Sequence, residues 1–126
     1  MFKFLACVLL LAAASQARIV SVSELKNALA SYGVSGDKLD TWACVVEHES
    51  NFDTGAYNGN TGDHGLFQIS QIYWCSPPGN GCGVTCDSMR DDDINNDIQC
   101  ALKIFAEHEH LSGNGFNAWV AYKYCH

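Results

Sequence analysis

Cysteine spacing limits this chain more than any other feature of its sequence. Seven cysteines occur in 126 residues, at positions 7, 44, 75, 82, 86, 100 and 125. Cys7 belongs to a stretch that is not part of the fold. Lys3 gives that stretch a positive start, Phe4 to Ala14 is apolar, and Ser15-Gln16-Ala17 is a small-x-small cleavage site. This is the pattern of a secretory signal peptide over residues 1–17, and its apolar run is too short to span a bilayer. The mature chain then begins at Arg18 and is secreted to the extracellular space. Six cysteines in a small secreted chain read as a framework of three disulfides, for which spacing alone leaves fifteen connectivities open. Cys82 and Cys86 have metal-like spacing, but an oxidising compartment favours bridges over zinc. Residues 18–126 are long enough for one domain with a moderate core.

Within that domain the stretch from Trp42 to Trp74 carries the chemistry. Leu39, Trp42, Ala43 and Val46 fall at i, i+3, i+4 and i+7, one apolar stripe at helical period. The same stripe reaches Glu49, where desolvation would disfavour the charged carboxylate and raise its pKa. Glu47 points away from the stripe and reads as solvated. A second carboxylate, Asp63, follows in the loop-like segment Thr61-Gly62-Asp63-His64-Gly65. One carboxylate in an apolar setting and one in a polar setting is the arrangement that separates an acid role from a base or nucleophile role.

The remaining punctuation predicts an α+β chain. Ser21 to Glu24 reads as a capping box, with helix continuing to Gly33. Asp37 is placed to cap the helix that carries Glu49. Gly55, Asn58-Gly59, Asn60 and Thr61-Gly62 are turn chemistry, and Leu66 to Ser70 is a short strand candidate in a small antiparallel sheet. Gln71 to Cys86 reads as a stapled loop. Asp91, Asp92 and Asp93 crowd a helix N-terminus, and Ile94, Asp97, Ile98, Ala101, Leu102 and Phe105 follow at helical spacing. That helix is expected to fray around Glu107-His108-Glu109-His110, whose histidines read as solvated. Phe116 to Cys125 reads as a short last helix. The result is a helical lobe and a small β-lobe, with a cleft between them as the natural place for a ligand.

Charge narrows the partners. Without Lys3, six Lys/Arg stand against fourteen Asp/Glu, a formal charge of −8. That argues against nucleic acid, against anionic membrane surfaces and against a membrane-disrupting antimicrobial. Five histidines would add positive charge in acid, which points to work in an acidic lumen or a digestive setting.

The segments Cys44–Phe52, Tyr57–Ser70, Ile72–Cys75, Cys82–Cys100 and Gly113–Tyr122 resemble the C-type lysozymes, in an insect-like form. The resemblance covers essentially the whole mature chain. It implies a monomeric β-1,4-N-acetylmuramidase, a retaining glycosidase acting on peptidoglycan or a related amino-sugar polymer. By position, Glu49 matches the general acid, Asp63 the nucleophile or ion-stabilising carboxylate, and Trp119 the ring that shields the acid. Tyr73 and Trp74 match the aromatic platform, with Tyr at the first position as in many insect members. Asn58 and Asn60 match the polar side of the cleft, Gln68 (with Ser50) supports the site, and Ala118 offers backbone groups to an N-acetyl substituent. The implied disulfides are Cys44–Cys125, Cys75–Cys86 and Cys82–Cys100.

The chain also departs from that pattern. Ser23 stands where the family's first cysteine belongs, and the chain stops at His126, before the last. Losing such a bridge costs on the order of 2–5 kcal/mol unless other contacts compensate. No cofactor is required. Ser88 to Asp97 resembles the calcium loop of alpha-lactalbumin, with carboxylates from Asp91 and Asp97 and carbonyls from Ser88 and Asp93. Asn96 replaces a further Asp, so any Ca2+ site is weak. The plainer reading of these acids is a helix-dipole cap. The competing functional reading is a catalytically silent, carbohydrate-binding or regulatory member of the fold, which the retained Glu49–Asp63 pair disfavours.

Overall fold

Two buried leucines, Leu25 and Leu29, seat the first helix, α1 (Val22–Ser31), on the core. The computed structural model describes residues 16–126; the leader assigned to residues 1–17 lies outside the described residues up to position 15. Ser21 caps α1, its hydroxyl accepting the Glu24 N–H at 3.1 Å. The carboxylate of Glu24 does not complete a capping box but takes the Arg18 guanidinium in a two-pronged pair, at 2.8 and 2.6 Å. Arg18 also donates to the Asp92 carbonyl. The strand-like segment before α1 lies along Phe52–Thr54, with Val20 N–H on the Phe52 carbonyl and Thr54 N–H on the Arg18 carbonyl, both 2.9 Å. These contacts tie the start of the chain to Phe52–Thr54 and to Asp92.

Helix α2 (Asp37–Ser50) buries Trp42, Val45, Val46 and Ser50. Gly36, at φ 63°, is its N-cap, so Asp37 is the first helical residue and contributes charge, not a side-chain cap. Trp42 centres the core, its ring 4.9 Å from those of Phe116 and Trp119 and 5.5 Å from Phe67.

Three two-residue strands follow, β1 (Tyr57–Asn58), β2 (Asp63–His64) and β3 (Ile69–Ser70), antiparallel in that order. The register sets Asp63 between Asn58 and Ser70. Leu66, Phe67 and Gln68 are a turn, so the predicted strand shrinks to its last two residues. Two consecutive side chains, Leu66 and Phe67, are both fully buried, which a pleated strand on one face cannot do. A parallel pair, β4 (Cys75–Ser76) and β5 (Val84–Thr85), orders the stapled loop.

Helix α3 runs Asn95–Ser112. Its start is two residues later than the acidic run, and Asp93 accepts the Asn95 N–H at 2.9 Å. It does not fray at Glu107–His110. Gly113, at φ 85°, closes it by donating its N–H to the Glu109 carbonyl, and Ser112 donates to that of His108. The predicted last helix is instead two 3-10 segments, Gly115–Ala118 and Val120–Tyr124, joined at an extended Trp119. The extended joint turns the indole inward, where it is 6% exposed and donates Nε1–H to the Phe67 carbonyl at 2.9 Å. The disulfides are Cys44–Cys125, Cys75–Cys86 and Cys82–Cys100. Cys82 and Cys86 belong to different bridges.

Candidate active site

Glu49 lies in the last turn of α2, half-buried, and lines a cavity of about 260 Å3 together with Asp63, Trp74 and Trp119. Burial raises its pKa above the ordinary value, and the negative charge of Asp63 adds to the effect. A hydrogen bond from the Ala121 backbone N–H and the nearby His48 oppose it. The carboxylate of Asp63, on β2, accepts the Thr61 hydroxyl at 2.8 Å. One carboxyl is therefore biased towards its neutral form, and the other is hydrogen-bonded through an oxygen as an acceptor. Two acids in one cavity with environments of this kind can divide proton donation from charge stabilisation.

The supporting contacts come from the turn between β2 and β3. Buried Ser50 donates its hydroxyl to the Leu66 carbonyl at 2.7 Å, tying the end of α2 to that turn. Gln68, at φ 51°, donates its amide to the Ala56 and Gly65 carbonyls. Behind Asp63 the buried His64 ring is oriented on both nitrogens. Arg90 Nε–H donates to Nδ1 at 3.1 Å, so Nε2 carries the proton that reaches Gln71 Oε1 at 2.9 Å.

A second, open depression of about 740 Å3 shares Glu49 and Gln68 and is lined further by Asn58 and Tyr57. Together the two form one cleft past both carboxylates. Gln68, Trp74, Ala118 and Trp119 line its enclosed part and Asn58 its open part. Two of the residues assigned from sequence lie off these walls. Tyr73 is 69% exposed, and Asn60 donates its backbone N–H to Asn58 Oδ1 at the tip of the β1–β2 turn. Sequence reasoning also missed a residue. His108, read as solvated, lines the enclosed part. Its signal was present, because His108 follows Ile104 by four residues on the buried face of α3, and Ile104 lines the same cavity.

The acidic loop offers oxygens for a hard cation. Asp97 is 2% exposed, and its Oδ2 has no hydrogen-bond partner. Burial, with the charges of Asp91 and Asp93, pushes its pKa up to about 8. The donor set is partly engaged: Asn96 donates its side-chain amide to the Ser88 carbonyl at 3.1 Å, and Asp91 accepts the Asp93 N–H. An orphaned, buried carboxylate oxygen with acidic neighbours is the kind of donor a hard cation takes.

A helical lobe, a three-stranded antiparallel lobe and a cleft with one acid on each side define a lysozyme-like protein. The model of the C-type lysozyme/alpha-lactalbumin family matches residues 17–126, and the chain belongs to that family. It is 39% identical to Lysozyme B of Drosophila melanogaster over 127 residues, covering 93% of this chain and 86% of the relative. It is 40% identical to Alpha-lactalbumin of Tachyglossus aculeatus aculeatus over 113 residues, 81% of this chain and 85% of that one. The solved lysozyme of Litopenaeus vannamei superposes with a TM-score of 0.75 at 35% identity, covering 84% of this chain and 86% of the other. Among the described residues no helix is long and apolar enough to cross a membrane.

Proposed function

We propose that this protein is a secreted β-1,4-N-acetylmuramidase that cleaves peptidoglycan between N-acetylmuramic acid and N-acetylglucosamine, giving bacteriolysis in digestion or defence. The observation that supports it best is Glu49 and Asp63 on one cavity, with burial raising the pKa of Glu49. Neutral Glu49 donates its proton to the leaving glycosidic oxygen. Ionised Asp63 meets the positive charge that develops on the sugar, forming a glycosyl-enzyme that water resolves with retention, lysozyme itself being the established example of this pair. Glu49, now ionised, takes the proton of that water. Trp74 supplies a flat apolar face for a sugar ring.

The relationship to alpha-lactalbumin supports a second reading, a silent binding or regulatory protein on the same frame. Clearing of a bacterial suspension by the purified protein separates the two. The wild type clears it, and Glu49→Gln folds but loses activity by about 100-fold or more. Clearing by neither protein, or by both equally, rejects the muramidase reading.

Bound at Ser88–Asp97, calcium would be held by the Asp91 and Asp97 carboxylates and the Ser88 and Asp93 carbonyls, and its role would be structural. The orphaned Asp97 oxygen supports this. Millimolar CaCl2 raises the Tm above its value in EDTA; identical melting in both rejects the site.

A further inference from the structure

The enclosed part of the cleft contains one side chain that the two-carboxylate chemistry does not use. His108 lies on α3 one turn beyond Ile104, is half-buried, and lines the cavity with Glu49, Asp63, Trp74 and Trp119. Among the described residues, no hydrogen bond engages its ring nitrogens; Ser112 takes only its backbone carbonyl. Among the described residues no lysine or arginine lines this cavity, and His108 is the one lining side chain there able to carry positive charge. The other titratable groups there are Glu49 from α2 and Asp63 from β2, both acidic, while Ser70 of β3 and the segment Ala118–Val120 add none. On α3 itself His108 is flanked by the exposed Glu107, Glu109 and His110.

Muramyl units carry carboxylates, either on the lactyl arm or on an attached peptide, and units of chitin carry none. An acidic cavity in an acidic protein repels the first kind of sugar unless one wall supplies a cation. Resting on the muramidase reading, we propose that His108 is a specificity-determining residue whose ring N–H pairs with a carboxylate of a muramyl unit bound in the cleft. Histidine gains its charge as pH falls through the neutral range. Preference for carboxylate-bearing glycan therefore grows in acid.

Binding to the Glu49→Gln protein, measured by calorimetry at pH 8 and pH 5, tests this. The probes are a chitin trimer, glycan strands stripped of peptide, and soluble peptide-bearing fragments. Affinity for at least one carboxylate-bearing probe is expected to rise about five-fold from pH 8 to pH 5, and that for chitin to change less than two-fold. A gain on stripped strands identifies the lactyl carboxylate; a gain on peptide-bearing fragments alone identifies the peptide. Adding His108→Gln, which keeps an N–H donor and removes the charge, abolishes the gain. A gain that survives His108→Gln, an equal gain on chitin, or no gain on either acidic probe overturns the proposal. Hydrolysis of stripped strands by the wild type tests the muramidase reading separately.

Discussion

Asp97 shows how a single carboxyl makes the whole fold depend on pH. It sits at the start of α3, accepts a hydrogen bond from the Leu66 backbone N–H, and keeps one oxygen unpartnered. Its pKa is pushed up to about 8 from an ordinary 3.8, so the folded chain binds the proton more tightly than the unfolded one. Stability from this group is therefore full below pH 3.8, declines as pH rises towards 8, and stays low above it. In EDTA, Asp97→Asn removes the charge without removing the bulk. Its Tm should exceed the wild type's at pH 8, by an amount on the order of a few kcal/mol in stability, and the gap should close towards pH 4. A lower Tm at pH 8 than the wild type's would contradict this. Asp97 was legible as a core-facing residue, because it lies on the same helical stripe as Ile94, Ile98 and Ala101. Its missing partner was not, since that depends on how the turn at Leu66 meets the start of α3.

The four-residue turn from Gly65 to Gln68 is the element that sets both sides of the cleft. Ser50 of α2 bonds its Leu66 carbonyl, and Trp119 bonds its Phe67 carbonyl. Gly65 allows the approach: at φ 79° a Cβ there would lie 1.9 Å from the Met89 carbonyl oxygen. Gly65→Ala should cost more than about 3 kcal/mol, through backbone strain and displacement of the 3-10 segment Asp87–Arg90 that contains Met89. A denaturation midpoint equivalent to a loss under about 1 kcal/mol would show that the turn is softer than its contacts imply. The same turn explains a limit of sequence reading. Leu66, Phe67 and Ile69 resemble a buried strand by composition, and composition does not register that Gly65 and Gln68 both have positive φ. The end of α3 misled in the opposite direction. Its charged Glu107–His110 run suggested fraying, while the Gly113 cap and the Phe105–Phe116 contact keep it helical.

For the whole molecule, the fold is a means of placing one acid against apolar neighbours and another among polar ones. The α+β organisation was legible because helical stripes, turn residues and paired cysteines all agreed on it. Glu49 was legible from the stripe it terminates, and Asp63 from its setting among turn residues. His108 and the exposed position of Tyr73 depend on how α3 and the stapled loop meet the cleft, which local pattern does not encode. The most direct test of the central claim is an NMR titration of the Glu49 side-chain carboxyl in the intact protein, with Trp119→Phe beside it. Its midpoint is expected above the ordinary 4.5, because burial dominates the shift, and to fall when a smaller ring lets water reach the acid. A midpoint at or below 4.5 in the wild type would mean that the wall does not keep Glu49 protonated, and the division of labour between the two carboxylates would fail with it.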